Sequence, residues 1–167
     1  MRKVPAVAYV ARYYCPEQHT TFGLLPDFYA SRMPGTLDDI EHAVATAEAT
    51  GKVEQAADTL RPADALDAVT LGAAVAWLRR RLALVRTMFV TVTGLLPDLF
   101  AGVERSVRAF RERLGTSRVL VMLREICAPH LHALPRPLGL NPRAQPAIAG
   151  ARGHRQSAGP DPPPRPP

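Results

Sequence analysis

The chain has 167 residues, 47% of them hydrophobic but only 6% aromatic. This is enough apolar material for one domain with an aliphatic core, and the bias to Ala, Leu and Val favours helices over a sandwich or barrel. Two cysteines, Cys15 and Cys127, rule out a disulfide framework and suit a reduced, cytoplasmic setting.

The net charge of +6 is unevenly spread: residues 1–35 carry +2, residues 36–68 carry −6, residues 69–128 carry +6, and the remainder +4. An acidic stretch thus precedes a strongly basic one. Either the two neutralise each other in the fold, or the basic part leaves a face for a polyanion. The apolar patch after Arg2-Lys3 is interrupted by Pro5 and ends at Arg12, which is short for a signal peptide. The most apolar later run, Thr87 to Pro97, is far short of the roughly 20 residues that cross a bilayer, so no membrane segment is expected.

Residues 1–35 read as a head of short extended segments and turns, with Tyr, Val, Thr and Phe between prolines and glycines. Thr36 then caps a helix whose first turn carries Asp38 and Asp39; Leu37, Ile40, Val44 and Ala47 follow at helical spacing, and Gly51 stops it. A shorter helix spans Lys52 to Leu60, ended by Arg61-Pro62, and Asp64 caps a short turn through Leu66. Thr70 opens a long helix with Leu71, Val75, Leu78, Leu82 and Val85 on one stripe, running to Thr93 before Gly94 and Pro97. Asp98 is expected to cap one further helix, in which Phe100, Val103, Val107, Phe110 and Leu114 share a face and Gly115 terminates. Ser117 caps a last helix through Cys127, before Pro129. From Pro135 the chain turns Pro-, Gly- and Arg-rich, a composition that cannot bury enough apolar surface to order itself. The expected class is all-α: a bundle of about five helices over 36–134, a non-helical head over 1–35 and a disordered tail over 135–167.

Three constellations bear on chemistry. The stretch "TGKVEQAADTLRP…VTLGAAVAWLRRRL" has the outline of a helix-turn-helix, with Ala56 and Ala57 small enough for two helices to cross closely. Arg79, Arg80, Arg81 and Arg86 on its second helix could reach DNA phosphates, aided by Arg105, Arg108 and Arg111 on the next one. Little in "TLGAAVAW" could read base edges. For zinc, Cys15 and His19 offer half a site, and neither a nearby second pair nor the distant Cys127 and His130 is required by spacing to complete it. For catalysis, Asp38, Asp39, Glu41 and Glu48 read as a solvated acidic face, and no hydrolase, nucleotide-loop or metalloprotease motif is present. Cys127 near His130 is the candidate nucleophile–base pair. No enzyme and no cofactor is expected.

The run "ARYYCPEQHTTFGLLPDFYASRMPGTLDDIEHAV" is similar to the end of a degenerate zinc ribbon in bacterial insertion-sequence transposases and their small relatives. Their pattern is close to arginine-tyrosine-x-cysteine-x-x-cysteine-x-x-threonine-phenylalanine-x-leucine-leucine-proline, followed by a helix-turn-helix. Arg12, Tyr13, Cys15, Thr21, Phe22, Leu24, Leu25 and Pro26 match it, and the resemblance spans residues 8–85. Gln18 stands where the second cysteine belongs, the upstream cysteine pair is missing, and the catalytic domain has no counterpart. The resemblance therefore implies a non-catalytic, DNA-associated relative. The competing expectation is a helical interaction protein, whose apolar helices around Thr87 to Phe100 pack on a partner or a second copy.

Overall fold

The structure, a computed structural model, describes residues 11–23, 26–61 and 70–140. The fold is all-α, with six α-helices and one two-stranded hairpin among the described residues. No helix among them is long and apolar enough to cross a membrane.

The head forms an antiparallel hairpin of β1 (Arg12–Cys15) and β2 (Thr20–Gly23), with Arg12 opposite Gly23 and Cys15 opposite Thr20. The chain then reaches α1 (Leu37–Thr50), whose ends follow the sequence signals closely. Thr36 Oγ1 accepts from Asp39 N–H at 3.1 Å while Asp39 returns a bond to Thr36 N–H, a reciprocal capping box. Gly51, at φ +70°, closes the helix in the left-handed conformation that costs glycine least. Leu37, Ile40, Val44 and Ala47 are buried, as their spacing predicts.

Next comes α2 (Val53–Leu60), where Ala56 and Ala57 are buried and let it lie close on its neighbour. Thr70 caps the long α3 (Leu71–Leu95), accepting from Ala73 N–H at 3.2 Å. Its Leu78, Val85, Met88, Phe89 and Val92 are all fully buried. The turn expected at Asp64–Leu66 lies outside the described residues.

The single helix expected from Asp98 to Leu114 is instead two. A short α4 (Pro97–Phe100) begins at the proline, and α5 (Val107–Leu114) starts afresh under a Ser106 cap that accepts from Ala109 N–H at 3.2 Å. Between them Gly102, at φ +76°, turns the chain out of the helical region. The shared apolar face survives the break because Phe100 and Phe110 still point into the core. The last helix, α6 (Val119–Ile126), starts beyond Ser117, which does not cap it; Thr116 Oγ1 accepts from Arg118 N–H instead. A 3₁₀ turn at Ala128–His130 follows.

The core is not purely aliphatic. Phe89 and Phe110 stack with centroids 4.1 Å apart, and Phe100 and Phe110 at 5.0 Å, so three of the few aromatic residues meet at its centre. Such contacts add about 0.5–1.5 kcal/mol each beyond the area they bury.

The boundary of the tail also moves. Residues 135–140 are packed rather than disordered: Leu134 and Leu138 are buried against the helices, and Leu140 N–H bonds back to the Leu131 carbonyl at 2.9 Å. Gly139 sits so close to Leu134 that a Cβ there would run into its carbonyl. What holds this strap is Arg124 of α6, 8% exposed, whose guanidinium donates to the carbonyls of Asp27, Tyr29, Pro137 and Leu138 and to Ser31 Oγ. One buried cation thus satisfies the backbone of two irregular segments that have no helix or sheet to satisfy it. Pro135 signals the end of helix, and the tertiary partner for the next six residues lies in Arg124. Residues 141–167 lie outside the described residues.

Candidate nucleic-acid interface

The acidic and basic stretches meet at three points. Asp38 of α1 is gripped by Arg118 at 2.8 and 3.1 Å, Glu41 of α1 by Arg111 of α5 at 2.9 and 3.1 Å, and Glu54 of α2 by Arg79 of α3 at 2.7 Å. Neutralisation within the fold therefore takes up Arg79 and Arg111, two of the seven arginines singled out from the sequence. Arg81 is removed by a different route. It is only 7% exposed and lies 3.6 Å over the Trp77 ring, so it belongs to the interior rather than to a contact face. Burial, helped by the charge of Arg80, pushes its pKa down to about 10, which keeps it protonated at neutral pH.

Arg80, Arg86, Arg105 and Arg108 remain exposed, with no ion pair among the described residues. Three of them converge. A groove of about 560 Å³ lies between the C-terminal half of α1, the start of α2, the middle of α3 and the start of α5. Arg86, Arg105 and Arg108 line it, and Ala45, Ala49, Val53 and Leu82 give it an apolar wall. A second hollow of about 610 Å³ shares Arg86, Glu104 and Arg105 with it and extends it past Thr87 and Val90. Arg80 stays outside both.

Two carboxylates share the groove, Glu104 and Glu48. Glu48 is half-buried and takes the N-terminus of α5: its Oε2 and Oε1 accept from Val107 N–H at 2.9 and 3.2 Å. Burial raises its pKa above the ordinary carboxylate value; backbone bonds from Val107 and Arg108 and the charge of Arg86 pull it back, and Glu104 pushes the same way as burial. The acidic face expected to be solvated is thus only partly so. Glu41 is 2% exposed and Glu48 is half-buried, because both border the apolar stripe of α1. Their two-turn spacing beside Ile40, Val44 and Ala47 is the signal that separates them from the exposed Asp38 and Asp39.

The helix-turn-helix outline is met only in part. α2 packs on α3 and also on α1, with Ala56 and Ala57 buried, while residues 62–69 lie outside the described residues. The exposed start of α3 offers Leu71, Gly72, Ala73, Ala76 and Trp77, none of which hydrogen-bonds a base edge well.

The zinc candidates do not assemble. Cys15 and His19 flank the hairpin turn, His19 Nδ1 is engaged by the Tyr14 hydroxyl at 2.9 Å, and no group of three or more metal-ligating side chains exists among the described residues. Cys127 is fully buried in the helical core, and burial pushes its thiol up, the reverse of what a nucleophile needs. Compared with protein-family models, curated proteins and solved structures, the chain matches none of them.

Proposed function

We propose that the chain is a non-catalytic, DNA-associated cytoplasmic protein that holds the phosphate backbone rather than reading bases. The observation that carries this is the convergence of Arg86 of α3 with Arg105 and Arg108 around the start of α5, all free of ion pairs among the described residues, on one groove. Guanidinium groups grouped in this way suit phosphate recognition. The apolar start of α3 favours binding without sequence preference. Kinship with insertion-sequence transposases is part of the same proposal, supported by the hairpin that carries Cys15 beside its turn and by the close packing of α2 on α3.

Binding to a short duplex, followed by gel retardation or fluorescence anisotropy, should weaken by about 0.9 log units per log unit of salt for each phosphate neutralised. Arg86→Ala and Arg108→Ala should each weaken binding across all sequences and lower that slope by about 1. No retardation at low salt overturns the proposal.

A second reading has its own observation. Leu71, Trp77, Val90 and Leu99 are 37–45% exposed along α3 and α4, which favours a helical interaction protein seated on a partner or a second copy. A strictly monomeric mass by light scattering counts against self-association.

A further inference from the structure

Glu48 poses a problem for any anion entering the groove, because a carboxylate already sits where the positive charge is focused. It faces Arg86 from α3, Glu104 and Arg105 from the α4–α5 connection, and the N-terminus of α5 with Arg108 behind it; α2 contributes only the apolar Val53. On α1 itself the nearest acid along the same face, Glu41, is taken up by Arg111. Among the described residues Glu48 has no such guanidinium partner. It is held by backbone N–H groups and by the charge of Arg86, one of the groups that would hold a phosphate.

We propose that the groove seats one backbone phosphate of a bound strand between Arg86, Arg105 and Arg108, and that Glu48 is its built-in competitor, so that DNA binding is coupled to proton uptake by this carboxyl group. This rests on the DNA-binding reading above and adds to it a seat and a means of regulation. A phosphodiester keeps its single negative charge throughout the pH range in which a carboxyl titrates, so the proton goes to Glu48 and not to the ligand. Burial already favours the protonated form, and a phosphate placed beside it favours that form further. Protonated Glu48 keeps a carbonyl oxygen to accept from Val107 N–H, so α5 stays capped while the groove gains a full positive charge.

The test compares the wild type with Glu48→Gln, which keeps an acceptor oxygen for Val107 N–H without the charge. Affinity for a short duplex is measured at constant ionic strength from about pH 8 down to about pH 5. At the alkaline end Glu48→Gln should bind about three- to tenfold tighter, the effect of removing one like charge at close range. As pH falls the wild type should gain on it, and the gap between them should narrow. Calorimetric titration of the wild type in two buffers of different ionisation enthalpy should show net proton uptake on binding, up to about one per chain. A gap that does not change with pH, or no gap, overturns the competition and leaves the DNA reading standing. Absence of net uptake by the wild type overturns it as well, whether or not the variant folds. If neither protein binds at low salt and acid pH, the DNA reading and this inference fall together.

Discussion

Glu41 and Glu48 lie two turns apart on α1, and each receives the start of another helix. Glu41 Oε2 accepts from Leu120 N–H at the head of α6 at 3.0 Å, and Glu48 accepts from Val107 N–H at the head of α5 at 2.9 Å. At the first junction Arg111 closes the charge balance, and the side chain is almost wholly withdrawn from water. At the second no guanidinium among the described residues bonds the carboxylate, the side chain is only half-buried, and a groove opens in which Arg86, Arg105 and Arg108 have no ion pair among the described residues. The same device, a carboxylate capping a neighbouring helix, is a sealed structural joint in one place and the floor of an anion site in the other. What separates them is whether a cation is spent on the carboxylate.

The largest effect is expected at the sealed joint. Glu41→Ala leaves Leu120 N–H without its acceptor and strands Arg111, and should cost about 3 kcal/mol in a urea melt. A loss no greater than that of a surface substitution would mean that the joint is dispensable. Glu48→Ala removes one of two caps from α5, since Ser106 remains, and should cost about 1 kcal/mol.

Glu48 also makes a prediction with a sign. Its folded-state pKa is raised, so between the unfolded and folded values the native state binds more protons, and stability falls as pH rises through that window. Relative to Glu48→Gln, the wild type should therefore be most stable at acid pH and lose that advantage toward neutrality, as followed by thermal melting. The opposite slope would mean that the capping bonds outweigh burial. The smallest effect belongs to the Glu54–Arg79 pair, where both side chains are more than half exposed. Arg79→Ala should change stability by no more than about 0.5 kcal/mol, within the scatter of exposed ion pairs.

Several helix starts and stops were legible from local signals, although Asp98 and Ser117, which look like caps, cap nothing. Thr36 with Asp39, Gly51, Thr70 and Gly115 act within one turn of themselves, and each ends or begins a helix where the pattern predicts. The division of the Asp98–Leu114 stretch was hidden because Phe100, Val103, Val107 and Phe110 keep helical spacing across a break set by Gly102 and Ser106. The strap at 135–140 was hidden for a different reason. Its composition is that of a disordered segment, and the group that orders it is a single arginine on α6. Of the seven arginines proposed for the site, sequence pattern supplied the set but could not sort it. Arg79 and Arg111 meet carboxylates far along the chain, Arg81 turns onto Trp77, and Arg86, Arg105 and Arg108 are left lining one groove.

By itself, then, the sequence determined the all-α class, the caps of α1 and α3 and the segregation of acid from base, because propensity, capping and charge act over a few residues. Only the tertiary structure decided which charges are spent and which are left over. Ion pairing depends on which helix faces meet, and here α1 meets α5 and α6 in a way that consumes Glu41 and Asp38 while leaving Glu48 beside three unpaired arginines.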